Sequence, residues 1–152
     1  MCILLLLKKK ILMRTRTTLL FIALLSILTL RSQTNIPEGD VFGDWYSEGS
    51  PYFIEGNIHL PSDQRLKIWP GVQVIFLGQF GFEIEGKIDA AGTQSDSITF
   101  TAFDTTGYSE GIFVGWNGLT LLGWNYSFSD SSSMAFCNVE FSQNAGISCM
   151  AY

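Results

Sequence analysis

The chain has 152 residues, 47% of them hydrophobic and 15% charged, and a formal net charge of −5. Six of its nine Lys and Arg precede residue 33, so residues 33–152 hold three cations against fourteen acids, a net −11. That balance excludes recognition of a phosphate backbone, which needs clustered Lys and Arg. In chain order, Lys8, Lys9, Lys10, Arg14 and Arg16 form a basic stretch, and a twelve-residue apolar run from Leu19 to Leu30 follows. Twelve residues suit the core of a signal peptide and fall short of the roughly 20 that a bilayer-spanning helix needs. Residues 1–32 are therefore expected to be a cleaved leader, with Met13 an alternative start. Cleavage would leave a secreted or cell-surface protein with no membrane segment.

Residues 33–50 are a Gly- and Pro-bearing segment carrying Asp44-Trp45-Tyr46, expected to serve as an entry or N-terminal cap. From Pro51 to Tyr152 short segments alternate apolar and polar residues with period two: Ile54, Ile58 and Leu60; Leu66 and Ile68; Val72, Val74 and Phe76. Phe82, Ile84, Ile88 and Ala90, then Ile98 and Phe100, continue the pattern. Such alternation puts one side of each segment in a core and the other in water. Turn formers separate the segments, and no window shows a helical stripe, so the fold is predicted to be all-β.

One echo selects among all-β architectures. Ile54-Glu55-Gly56-Asn57-Ile58-His59-Leu60 returns thirty positions later as Ile84-Glu85-Gly86-Lys87-Ile88-Asp89-Ala90. A sandwich of hairpins predicts no such return, whereas a solenoid does. The expected ladder is Ile54 on Ile84 and Ile58 on Ile88, with Gly56 and Gly86 in bends that need positive φ.

The runs Ser50-Pro51-Tyr52-Phe53-Ile54-Glu55-Gly56-Asn57-Ile58 and Leu66-Lys67-Ile68-Trp69-Pro70-Gly71-Val72-Gln73-Val74-Ile75-Phe76 resemble the first coils of secreted bacterial proteins of the pectin-lyase-like superfamily. Gly86-Lys87-Ile88-Asp89-Ala90-Ala91-Gly92-Thr93, Gly115-Trp116-Asn117-Gly118-Leu119 and Phe136-Cys137-Asn138-Val139-Glu140-Phe141 resemble later ones. The resemblance covers about residues 43 to 148 and implies a right-handed, single-stranded parallel β-helix. Its motifs are specific for the fold and not for an activity. Proteins of this kind run to many more coils, while Gly146-Ile147-Ser148-Cys149 opens a strand just before Tyr152. The expectation is a β-helix cut off after about four coils.

Chemistry is sparse. The resemblance implies relatives that are polysaccharide lyases and hydrolases. Lyases of the fold use a basic residue and calcium held by carboxylates. Lys67 alternates with Leu66 and Ile68 and should point into solvent. Glu83, Glu85 and Asp89 alternate with inward residues and would line one outer face, with Glu55 near Glu85 one coil below. A row of like charges would invite a cation such as calcium; the plainer reading is spaced, solvated acids and no cofactor. His59 is the only histidine, so it has no second histidine to work with, and it reads as a surface residue. Ser127 to Ser133 form a polar loop without the strand-to-helix context of a nucleophile elbow.

Cys137 and Cys149 sit in apolar segments, free or paired, and no CxxC or Cys/His cluster supplies a zinc site. Trp116, Trp124 and Tyr126 cluster among glycines and are candidates for stacking on sugar rings; packing in the core or a turn is the alternative. No catalytic constellation is present. The expected function is an exported β-helix scaffold or surface protein that contacts extracellular polysaccharide or other surface components without catalysis. The second expectation is the N-terminal part of a polysaccharide lyase or glycoside hydrolase with its catalytic coils elsewhere.

Overall fold

The computed structural model describes residues 32–107, 115–123 and 132–151. The proposed leader, Trp124, Tyr126 and most of the Ser127–Ser133 loop lie outside the described residues. Among the described residues fourteen short strands follow in chain order: β1 (Thr34–Ile36), β2 (Gly39–Asp40), β3 (Gly43–Trp45), β4 (Tyr52–Ile54), β5 (Ile58–Leu60), β6 (Arg65–Ile68) and β7 (Gln73–Phe76). The rest are β8 (Gly81–Ile84), β9 (Lys87–Ala91), β10 (Ile98–Ala102), β11 (Gly118–Gly123), β12 (Ser133–Ala135), β13 (Cys137–Val139) and β14 (Ile147–Ala151).

The strands deal themselves in rotation onto three sheets. Sheet A has the order β1-β4-β7-β10-β13, sheet B β2-β5-β8-β11-β14, and sheet C β3-β6-β9-β12. Every pairing is parallel. Each strand therefore pairs with the strand three places on, and the chain climbs one rung per circuit. The described residues form an all-β, three-sided parallel solenoid. Residues 33–50, expected as an entry segment, supply β1, β2 and β3, which pair with β4, β5 and β6. They are a full coil in their own right.

Alternation decides the inside. Ile54, Ile58, Leu60, Leu66, Ile68, Val74, Phe76, Phe82, Ile84, Ile88, Ala90, Ile98 and Phe100 are all buried, as their period-two spacing predicts. They stack in rows along the axis. On sheet A, Ile36, Ile54, Phe76 and Ala102 form one row. On sheet B, Ile58, Phe82 and Leu119 form another, and the exposed Ile147 ends it. Burying each such side chain is worth about 1.5–3 kcal/mol, which the short strands need, since no single one has more than a few backbone hydrogen bonds to its neighbour.

The expected ladder is corrected by this register. Ile54 pairs with Phe76, Ile58 with Phe82, Leu60 with Ile84, and Leu66 with Ile88. The coil in this region spans 22 to 24 positions, not thirty. The seven-residue echo instead marks two different corners. Ile54 to Ile58 turns the chain from sheet A to sheet B, and Ile84 to Ile88 turns it from sheet B to sheet C. Thirty positions is one coil plus one face.

The glycines of the echo are corrected in the same way. Neither Gly56 nor Gly86 has a positive φ. What they need is absence of a side chain, because the preceding coil passes against them. A Cβ at Gly56 would run into Glu38, and one at Gly86 into the carbonyl oxygens of Pro61 and Gln64. The amide of Lys87 donates to that same Gln64 carbonyl at 3.0 Å, fixing the approach.

Gly86→Ala should therefore lower the melting temperature, with a cost of about 1–3 kcal/mol typical of a forced overpacking. Gly81→Ala is the control: a Cβ there meets nothing closer than Asn117 at an ordinary 3.5 Å. Thermal melts of the full chain should separate the two, and equal melting points would refute the close-approach account.

Candidate functional site

Outward-facing positions also fall into axial columns, and the most chemically varied runs up sheet B. Register places Asp40, His59, Glu83, Thr120 and Ser148 on successive strands β2, β5, β8, β11 and β14. These residues come from distant parts of the chain, joined only by the stacking. Beside them lies a groove of about 560 Å³ lined by Asn57, His59, Gly81, Glu83, Asn117, Thr120 and Asn144, among others.

The groove walls are held by the backbone. Gly81 N–H donates to Asn57 Oδ1 at 2.9 Å, and Asn117 Nδ2 donates to the carbonyl of Gln79 at 2.7 Å. Both asparagines stand just ahead of a sheet B strand, where the corner leaves peptide groups that the ladder does not reach. Ser148 Oγ lies 3.2 Å from Thr120 Oγ1, continuing the polar column upward.

His59 is the centre of the charge pattern. Its Nδ1 lies 2.9 Å from Asp40 Oδ1 and its Nε2 3.7 Å from Glu85 Oε2, so one imidazole bridges two carboxylates, one from the coil on either side. The Asp40 hydrogen bond is the main cause of a raised imidazole pKa; partial burial opposes it, and the charges of Glu85, Asp40 and Glu83 reinforce it. His59 is thus at the surface, as expected, and held there by acids.

Other expected residues are dispersed. Glu83 faces out from sheet B, whereas Asp89 faces out from sheet C between Lys67 and Ser133. The corner at Glu85-Gly86 separates them, so the proposed single row of acids does not form. Glu55 accepts from Asn35 Nδ2 at 2.6 Å at the sheet A to sheet B corner, away from Glu85 at the next. Among the described residues, no group of three or more His, Cys, Asp and Glu is placed to hold a metal ion.

Trp116 is corrected from a sugar-stacking candidate to a core residue. It is fully buried, stacked on Phe76 at 4.1 Å and 13° and flanked by Phe100 at 6.4 Å. Its indole N–H donates to the Glu140 carbonyl at 2.7 Å. An inward indole this large needs its single polar atom satisfied, and the next coil does that. Trp124 and Tyr126 lie outside the described residues.

Cys137 and Cys149 are free thiols on sheets A and B. Burial pushes the Cys137 thiol up, and its Sγ donates to the Ala90 carbonyl at 3.2 Å. Of the described end of the polar loop, Ser132 Oγ accepts from Ile88 N–H at 3.1 Å and Ser133 Oγ donates to Asp89 at 3.0 Å. Both serve the neighbouring coil.

Sequence reasoning missed Asp40 and the asparagines of the groove. Asp40 is invisible as a partner of His59 until the register is known, because nineteen positions separate them. The asparagines do carry a signal: Asn57 and Asn117 each stand immediately before a strand of sheet B.

No protein-family model matches this chain, and neither a curated protein nor a solved structure is detectably similar to it. What the site does has to be read from its own geometry.

The His59 bridge makes stability depend on pH with a definite sign. A raised folded pKa means the protonated form is favoured by folding, so its contribution is complete below the unfolded value of about 6.5 and is lost as pH rises through the folded value. The melting-temperature gap between wild type and His59→Gln should shrink between about pH 5 and pH 8. A gap that stays constant, or widens with pH, would contradict the bridge.

Proposed function

We propose that the protein is an exported, right-handed parallel β-helix scaffold of the pectin-lyase-like kind, whose sheet B face contacts glycans without cleaving them. The observation that carries this reading is the groove across four coils of sheet B, with Asn57, Asn117, Thr120 and Asn144 beside His59 and Glu83. Neutral amides and hydroxyls at fixed spacing suit the alternating donors and acceptors of sugar hydroxyls. The acids of the same face, Asp40, Glu83 and Glu85, favour a neutral glycan over an anionic one. Right-handedness is supported by the strong preference of parallel crossovers for that hand. Export and a secreted or surface location rest on the basic and apolar pattern of residues 1–32.

The alternative, part of a polysaccharide lyase or glycoside hydrolase, has one observation in its favour: the imidazole between Asp40 and Glu85 is a titratable group beside a groove. Against it, the imidazole is engaged by Asp40 of its own column and by Glu85 at the neighbouring corner.

The full chain should co-sediment with insoluble neutral polysaccharide, and Thr120→Lys, which puts a long side chain into the groove, should weaken retention about tenfold, a change of about 1.4 kcal/mol. Circular dichroism checks that the variant keeps its strands. Neutral and acidic polysaccharides incubated with the protein and calcium should show no new reducing ends or unsaturated products. Turnover would move the assignment to the alternative, and retention unaffected by Thr120→Lys would remove sheet B from it.

A further inference from the structure

The outer faces of the three sheets differ in charge. Sheet B carries Asp40, His59 and Glu83, and sheet C carries Asp44, Arg65, Lys67, Lys87 and Asp89. Sheet A carries none: among the described residues, no member of β1, β4, β7, β10 or β13 is charged. In a unit with a net charge of −11, one face of the three is neutral.

That face is also the apolar one. Register sorts its outward residues into columns, of which Gln73, Thr99 and Asn138 form a polar one. Beside it stands a second, Asn35, Phe53, Ile75 and Thr101, apolar at its centre. Leu77 N–H donates to the Ile54 carbonyl and Phe103 N–H to that of Phe76, each at 2.9 Å. These bonds carry the ladder one residue past the strands and stack Leu77 and Phe103 in a third column. Phe53 meets Phe103 edge-on at 6.3 Å and 75°, joining the second and third columns into one patch. Leu77 and Phe103 are nevertheless 40% and 66% exposed.

Sheet C also shows two exposed rings, Tyr46 and Trp69, but these are already partnered. They stack on each other at 5.6 Å, and the Lys67 ammonium covers the indole at 3.9 Å. The acids that border the sheet A patch stand at its rim. Glu55 accepts from Asn35 Nδ2 at 2.6 Å, Asp104 accepts from Thr106 N–H at 2.9 Å, and Glu140 lies one residue past β13.

We infer that sheet A docks a second copy of this chain, face to face, about a twofold axis that runs along the strands. Such an axis lays each column over its own copy. Apolar columns then meet apolar columns. The amides and hydroxyls of Gln73, Thr99 and Asn138 pair with their own kind, because each is both donor and acceptor. The same operation on sheet B would bring Asp40 and Glu83 up to acids, and on sheet C Arg65 and Lys87 up to cations. With sheet A inward, both charged faces point away from the junction, which keeps the repulsion between two strongly acidic copies least. Five strands at about 4.8 Å and about five residues at roughly 3.3 Å give the face about 300 Å² in projection. A standard interface buries about 800 Å² on each partner, so the dimer is a weak one that forms at micromolar concentrations and above. The inference does not rest on the glycan reading.

The test is sedimentation equilibrium of the full chain from about 1 μM to about 1 mM, the range in which a contact of this size acts. A monomer–dimer equilibrium is expected, and added salt should tighten it by screening the repulsion between acidic copies. Ile75→Asp and Ile75→Lys, both outward changes, should each weaken the dimer at least about tenfold. A mixture of the two variants should associate again, because the column that holds them lies opposite itself. Circular dichroism checks that each variant keeps its strands. Thr120→Lys on sheet B should not weaken the dimer, so failure of the glycan assignment and failure of this one give different results. A monomer throughout the range overturns the inference, as does association indifferent to both Ile75 variants, which would place the contact elsewhere in the chain. A mixture that stays monomeric overturns the self-facing geometry. Association that salt weakens also counts against it, since that marks cations of sheet C docking on acids of sheet B.

Discussion

In a stack of parallel strands each peptide group bonds to the coil above and the coil below, and the interval of about 4.8 Å between them leaves little latitude. Side chains at equal register must then touch. Inside, this compels rows of apolar residues and the stacking of Trp116 on Phe76. Outside, it would set like charges directly over one another, a destabilising arrangement. The columns avoid it by alternating sign: Asp40, His59 and Glu83 on sheet B, and Asp44, Lys67 and Asp89 on sheet C. Arg65 over Lys87 breaks the rule, and Asp89 lies beside Arg65 to moderate it.

The same interval governs the corners. Where the chain leaves one sheet for the next it passes so close to the coil before it that Gly86 sits against two carbonyl oxygens and Gly56 against Glu38. A glycine chosen for bulk and a glycine chosen for φ look alike in a sequence. Here they occupy different places: the positive-φ set includes Gly39, Gly43, Gly71, Gly115 and Gly118, and neither glycine of the echo.

That distinction shows where reading the sequence succeeds and where it stops. The inward residues are legible one at a time, because period-two alternation is local; Ile54 through Phe100 fall inside as their spacing dictates. The partner of each is not legible, because register depends on how many residues each corner consumes. The echo misleads for this reason: Ile-Glu-Gly is a way of turning any corner, and it recurs at two different ones. Residues 33–50 hide their strands because Gly39-Asp40 and Gly43-Asp44-Trp45 offer almost no apolar alternation and are held by backbone pairing. Trp116 stands among glycines and reads as surface, until Phe76 is found beneath it. The Asp40–His59 contact and the Tyr46–Trp69 pair are products of register alone, and no local pattern announces either.

The uneven lengths of the coils carry a further consequence. Register partners on sheet A are 18 positions apart at Ile36 and Ile54 but 39 apart at Phe100 and Val139, with the strands still in phase. Extra residues are absorbed between strands, where a loop can swell outward without disturbing either face. One residue added within β6 would have another effect, because each side chain after it would swap sides. Lys67 would point inward and Ile68 into water. A lineage of such chains can lengthen its corners freely while the columns on its faces pass down unaltered.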